Sequence, residues 1–242
     1  FKHSRLISHM RLMRQNIKRD EPAKVEMVRQ ILRLLDADLD PADFTRLLTE
    51  RARAYENWAA QTLDELGEVE RWTRWLLPDW PADLVASHAM EMNRIWREAN
   101  RMRIPFPEMR STILELARRG YRLGLVSNTT SSVDSPQALE TAGIADCFET
   151  IILSCVIGRR KPAPEPLLEA ARQLDLDPAL CAYVGDRPDW DVAAARRAGY
   201  GKVILIRGPR LQNEAGLPLQ LTPDEIVDSL AGVLGVFTQA SV

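Results

Sequence analysis

The stretch Tyr183-Val184-Gly185-Asp186-Arg187-Pro188-Asp189-Trp190-Asp191-Val192-Ala193-Ala194-Ala195-Arg196-Arg197-Ala198-Gly199 decides the fold. An apolar strand over 182–185 stops at Gly-Asp, and a small-residue helix over 191–198 follows, closed by Gly199. Asp191 comes five residues after Asp186. Two carboxylates at one strand end suit a hard cation such as Mg²⁺, which takes few protein carboxylates and fills its shell with phosphate and water. Asp189 reads as the cap of the helix. Capping explains neither Asp186 nor the small residues around it.

Outward from this unit the chain keeps alternating. The pattern predicts helices over 108–119, 136–142 and 165–174, strands over 121–126, 150–153 and 202–206, and a last helix over 223–234. Such alternation makes a parallel sheet with helices on both faces, and chemistry in such sheets gathers at the carboxyl ends of the strands. Residues 1–105 read differently, as helices throughout. Val25, Val28, Leu32 and Leu35 keep a helical period, and Asp40, Pro41 and Asp43 open the next helix as N-cap, N1 proline and acidic third residue. Five of the six tryptophans lie in this half, most of them expected in its core. Ile104-Pro105-Phe106-Pro107 reads as the linker. The organisation is a helical domain over 1–105 and an α/β core over 106–242.

Two further strand ends carry polar groups. Leu125-Val126-Ser127-Asn128-Thr129-Thr130 places a hydroxyl and an amide directly after a buried strand, where such groups bind phosphoryl oxygens or simply make a turn. Gly158-Arg159-Arg160-Lys161-Pro162-Ala163-Pro164-Glu165-Pro166 fixes a lysine before a proline-rich helix start. A fixed ammonium neutralises phosphate and carboxylate alike, though three basic residues in a row are more often a solvated turn.

Bulk properties narrow the partners. The chain has 242 residues, 45% hydrophobic and 27% charged, with a formal net charge of -2, so no basic field points to nucleic acid. No apolar run reaches the roughly 18 residues of a membrane span, and no secretory signal pattern is read at the N-terminus. Cys147, Cys155 and Cys181 are widely spaced and form neither a metal pair nor a disulfide framework, so the expected compartment is the cytoplasm. Oligomeric state is not legible.

Taken in order, Ser127-Asn128, Lys161-Pro162-Ala163-Pro164 and Gly185-Asp186 with Asp191-Val192 resemble motifs two, three and four of the haloacid dehalogenase-like hydrolases. The resemblance covers residues 106–208 closely, while the helical half resembles the family's inserted cap domain in position and texture. It implies an α/β fold: a Rossmann-like parallel sheet core with helices on both faces, plus an all-helical cap. It implies a Mg²⁺-dependent phosphatase acting on a small phosphorylated metabolite through an aspartyl-phosphate intermediate. Ser127 would hydrogen-bond the phosphoryl group with Asn128 beside it, Lys161 would stabilise nucleophile and phosphoryl charge, Asp186 would hold Mg²⁺, and Asp191 would complete or support the metal site.

The family's first motif, an Asp-x-Asp ending the first strand, is absent where it belongs. Asp36-Ala37-Asp38 has the spacing but follows a helix rather than an apolar strand, and Asp40 is needed as a cap. Residues 1–17 read as cap helix, and the chain opens on Phe1 rather than Met. The expectation is therefore a chain missing its nucleophile strand, with an unpaired internal sheet edge and no turnover. Two rival readings are a metal-independent haloacid dehalogenase and a non-catalytic binding protein on the same fold.

Overall fold

The structure, a computed structural model, describes residues 6–8, 13–17, 20–100, 102–208, 218 and 221–237. Strand β1 (Leu6–Ser8) is followed by β2 (Met13–Ile17). The helical unit comes next. Helix α1 (Glu21–Leu34) starts where Asp20 accepts a hydrogen bond from Ala23 N, and α2 (Pro41–Thr62) starts where Asp40 accepts from Ala42 N and Asp43 N. Helix α3 (Glu68–Arg71) runs on as a π-helical turn over Trp72–Leu76, and α4 (Ala82–Asn100) closes the unit. Its core contains Val28, Ile31, Leu32, Phe44, Leu48, Trp72, Leu76, Met92 and Trp96, all buried. Trp72 and Trp96 are thus core residues, as expected.

The chain leaves through β3 (Met102–Pro105), antiparallel to β2. The Pro-Phe-Pro segment is therefore not a bare linker: its first proline ends an edge strand, a position where a missing N–H costs nothing. Then follow α5 (Met109–Arg118), β4 (Arg122–Ser127), α6 (Asp134–Thr141), β5 (Phe148–Leu153), α7 (Ser154–Ile157), α8 (Glu165–Gln173) and β6 (Cys181–Gly185). A π-helical turn over Pro188–Val192 leads into α9 (Ala193–Arg197), then β7 (Lys202–Ile206), β8 (Glu225–Val227) and α10 (Val233–Val236).

Six strands form one parallel sheet in the order β5-β4-β1-β6-β7-β8. Period-two alternation sends Leu123, Leu125, Ala182 and Val184 to one face, against Ile113 and Leu116 of α5 and Leu139 of α6. It sends Val126, Tyr183, Val203 and Leu205 to the other, against Leu167 and Ala171 of α8 and Ala194 and Ala195 of α9. Helices on both faces explain why β6 is buried along its whole length. Among the described residues no helix is long and apolar enough to cross a membrane.

Three expectations are corrected here. Residues 1–17 are not cap helix: Leu6–Ser8 is a strand between β4 and β6, paired parallel with both. The internal edge expected to stand open is filled, because the facing N–H and C=O groups of two buried strands demand a partner strand. Helix was also expected over 223–234, but Glu225–Val227 extends the sheet and only Val233–Val236 is helical. The β-branched pair Ile226-Val227 suits the open edge of β7, and Asp224 anchors the segment by accepting from Val203 N at 2.6 Å.

Candidate active site

Lys161 is 3% exposed and sits at the carboxyl ends of the strands. Its ammonium donates to Asp191 Oδ1 at 2.9 Å, to the Tyr183 hydroxyl at 2.7 Å and to the Val126 carbonyl at 3.2 Å. Val126 precedes Ser127, so the ammonium lies against the end of β4. Asn128 holds the lysine from behind. Its Nδ2 donates to Lys161 O and its Oδ1 accepts from Lys161 N, both at 2.9 Å. Both ends of that amide are thus spent on the backbone of Lys161.

Asp191 joins the third motif to this centre. Its Oδ1 also accepts from the Tyr183 hydroxyl at 3.0 Å, and its Oδ2 accepts from the backbone N–H groups of Asp186 and Arg187, both at 3.0 Å. A carboxylate has about four acceptor sites, and here all are occupied. Burial and the neighbouring Asp191 carboxylate hold the Tyr183 phenol far above its ordinary pKa, so it stays a neutral donor. Lys161 and the Asp186 loop therefore bind opposite oxygens of one buried carboxylate.

Gly185 makes this possible, since a Cβ there would stand 2.4 Å from Asp191 Cβ. Gly185→Ala is expected to cost about 3 kcal/mol, the upper end of overpacking penalties, and to weaken phosphate binding by displacing Asp191. Thermal unfolding and a phosphate titration check both effects.

Asp189 does not cap. It is exposed and pairs with Arg187 at 2.5 Å, while the carboxylate that receives backbone N–H groups is Asp191. The turn begins at Pro188, which places Asp189 inside it rather than before it. Asp36 and Asp38 lie in the loop between α1 and α2, exposed and away from any strand, and Asp40 caps α2 as read.

The cap closes over these strand ends. Arg160 N donates to Leu63 O, and Glu65 N donates to Gly158 O, both at 3.0 Å. The Arg160 guanidinium pairs with Glu56 at 3.2 Å and with Glu65 at 3.5 Å. Glu65 also accepts from the Tyr55 and Ser154 hydroxyls, and burial raises its pKa. Ala60 and Leu63 of the cap and Arg160, Lys161, Pro162, Asp189 and Trp190 of the core line a cavity of about 150 Å³. That is below the ~300 Å³ where ligand pockets usually begin, so it suits a short ligand.

Sequence reading missed Tyr183, Glu65 and Arg160. Arg160 looked like part of a solvated basic turn yet is 5% exposed. Tyr183 offered one signal, a hydroxyl on the strand residue two before Gly185.

Residues 1–19 contain neither Asp nor Glu, and the residues after β1 are His9, Met10 and Arg11. The strand position beside Ser127 is thus filled without a carboxylate in the sequence that follows it. Among the described residues, no group of three or more His, Cys, Asp or Glu could hold a metal ion. Asp191 braces rather than offers a vacant oxygen, which leaves Asp186 as the carboxylate at the end of β6. One carboxylate with phosphate oxygens and water fits Mg²⁺, which seldom uses an all-protein cage.

Comparison with known proteins follows this geometry. The family model of haloacid dehalogenase-like hydrolases matches residues 19–199. A glyceraldehyde 3-phosphate phosphatase of Methanopyrus kandleri is 38% identical over 104 residues, 43% of this chain and 44% of the relative. A plasmid-borne phosphoglycolate phosphatase of Cupriavidus necator is 37% identical over 139 residues, 56% of each chain. The chain spans about half the length of these relatives. Among solved structures, a HAD phosphatase of Thermococcus onnurineus superposes with a TM-score of 0.59 at 18% identity, covering 98% of both chains. A 2-haloacid dehalogenase of Pseudomonas syringae gives 0.62 at 22% identity over 96% of both. These two establish the fold.

Proposed function

Because the chain belongs to the haloacid dehalogenase-like hydrolases, we propose that its strand-end site binds the phosphoryl group of a small phosphate monoester and that hydrolysis there runs through an aspartyl-phosphate. The supporting observation is the buried Lys161–Asp191 pair tied to the end of β4, with Asp186 on the same loop. Both relatives are named for short phosphate esters, in keeping with a cavity of about 150 Å³.

In this reading Ser127 donates to a phosphoryl oxygen and Lys161 supplies fixed positive charge to it. Asn128 acts by holding Lys161. Asp191 keeps the ammonium oriented and fixes the loop that carries Asp186, and Tyr183 shares its charge. Mg²⁺ would be held by Asp186 together with substrate oxygens and water, and when bound it supplies charge that offsets the phosphoryl oxygens. The aspartate that attacks phosphorus is not among the residues of this sequence at the end of β1, so the chain as written binds without turnover. That absence also favours a second reading, a phosphate-binding protein on a hydrolase fold.

Calorimetric titration with inorganic phosphate tests the site. Mg²⁺ is expected to raise phosphate affinity by at least about tenfold, the effect of one divalent charge beside the anion. Asp186→Asn should remove that increment and leave the Mg²⁺-free affinity nearly as it was. An affinity indifferent to Mg²⁺ in the unaltered chain would remove Asp186 from the metal role.

A further inference from the structure

Arg71 ends α3 on the inner side of the cap and is 3% exposed. A buried guanidinium normally has a counter-charge or a full set of acceptors. Arg71 has neither among the described residues. Its Nη1 donates to the neutral amide oxygen of Asn93 at 3.2 Å, its plane lies 5.0 Å from the Tyr55 ring centre, and its Nε has no partner. The buried carboxylates nearby are committed elsewhere: Glu65 to Tyr55, Ser154 and Arg160, and Glu68 to the N–H and hydroxyl of Ser132.

Arg97 on α4 repeats the pattern. Its Nε pairs with Asp134 at 2.6 Å and its Nη1 donates to the Thr130 hydroxyl at 3.0 Å, while its buried Nη2 has no partner among the described residues. The two arginines reach one loop. Asn93, which receives Arg71, donates its own Nδ2 to Thr130 O at 2.6 Å, and Thr130 stands three residues after Ser127. Two guanidiniums with unfilled N–H groups therefore flank the loop that starts at the proposed phosphoryl site. The orphan donors have directional, fork-like geometry that matches a carboxylate.

We propose that Arg71, with Arg97 beside it, forms an anion subsite on the cap for the carboxylate of the substrate, so that the substrate class is a short phosphorylated carboxylic acid. The proposal rests on the phosphate reading above and adds the second charged group of the ligand. Of the two substrates named for the relatives it selects the acid over the aldehyde. An ester without the carboxylate leaves a buried guanidinium unpaired, and sites built to pair a polar group reject analogues lacking it far more strongly than apolar pockets reject a missing methylene.

Calorimetric titrations of the full chain with 2-phosphoglycolate, ethyl phosphate and inorganic phosphate test this. The acid is expected to bind at least about tenfold tighter than ethyl phosphate, the margin a lost charged hydrogen-bond partner commands. Arg71→Met should bring that ratio close to one, and Arg71→Lys, which keeps the charge but loses the fork, should leave it between the two. Equal affinities for acid and ethyl ester in the unaltered chain overturn the proposal and leave the phosphate site standing. So does a ratio that survives in Arg71→Met. If that variant does not fold, a ratio unmoved in Arg71→Lys overturns the assignment to Arg71. Failure of all three ligands to bind overturns the phosphate reading and this proposal together.

Discussion

Replacing residues 1–19 with an apolar strand ending in Asp-x-Asp is expected to create Mg²⁺-dependent phosphatase activity where the unaltered chain has none above background. The rise should be on the order of 10⁴-fold or more, the scale on which removal of a nucleophile disables an otherwise intact site. The sheet already has a place for that strand, since Leu6–Ser8 pairs with β4 and β6 at its centre. Charge stabilisation is in place as well, in Lys161 and the loop held by Asp191. What residues 1–19 lack is any acidic side chain, and a hydroxyl or ammonium at this site is no substitute for a carboxylate aligned with phosphorus. In the altered protein Asp36→Asn and Asp38→Asn should leave turnover nearly as it is, because both residues sit in the exposed loop after α1. Phosphate release from a panel of short esters, with and without Mg²⁺, measures the effect.

Lys161→Met is expected to be the most destabilising single change at the site. It leaves the Asp191 carboxylate buried with no cation, a condition that costs about 3–5 kcal/mol. For a domain of this size that is a fall in Tm of roughly 10 °C or more. The remaining donors to Asp191, the Tyr183 hydroxyl and two backbone N–H groups, do not balance its charge. Pairing the change with Asp191→Leu should recover much of the stability, since a buried ion pair is often replaceable by apolar side chains of similar volume. It should recover none of the phosphate binding. A double-mutant cycle that reads unfolding free energy and phosphate affinity side by side separates the structural from the functional role of the pair.

The contrast between these residues shows what was legible in the sequence. Gly185-Asp186 and Asp191 could be read because a strand, a turn and a helix follow one another locally, and each leaves its own pattern. The same holds for Asp40 as the cap of α2 and for Gly120, Gly143 and Gly199, all at positive φ just past helix ends. Strand β1 escaped because three residues carry no period of their own; their conformation comes from two strands more than a hundred residues away. Strand β8 escaped for the same reason, being the partner of an edge rather than an independent pattern. The cap–core contacts were the least legible. Glu65, Arg71 and Arg160 look like ordinary surface charges in sequence, and only the docking of the cap on the strand ends buries them. Asn128 was expected to meet the substrate, but the structure spends its amide on Lys161, which no spacing rule foretells.

The most direct test of the account follows both the ³¹P signal of a short phosphate ester and the appearance of inorganic phosphate as the unaltered chain is added with Mg²⁺. The account predicts saturable broadening of the ester signal, competed away by inorganic phosphate, and no release of phosphate beyond the uncatalysed rate. Multiple turnovers by the unaltered chain would contradict the missing nucleophile, and an ester signal untouched by the protein would contradict the phosphate site itself.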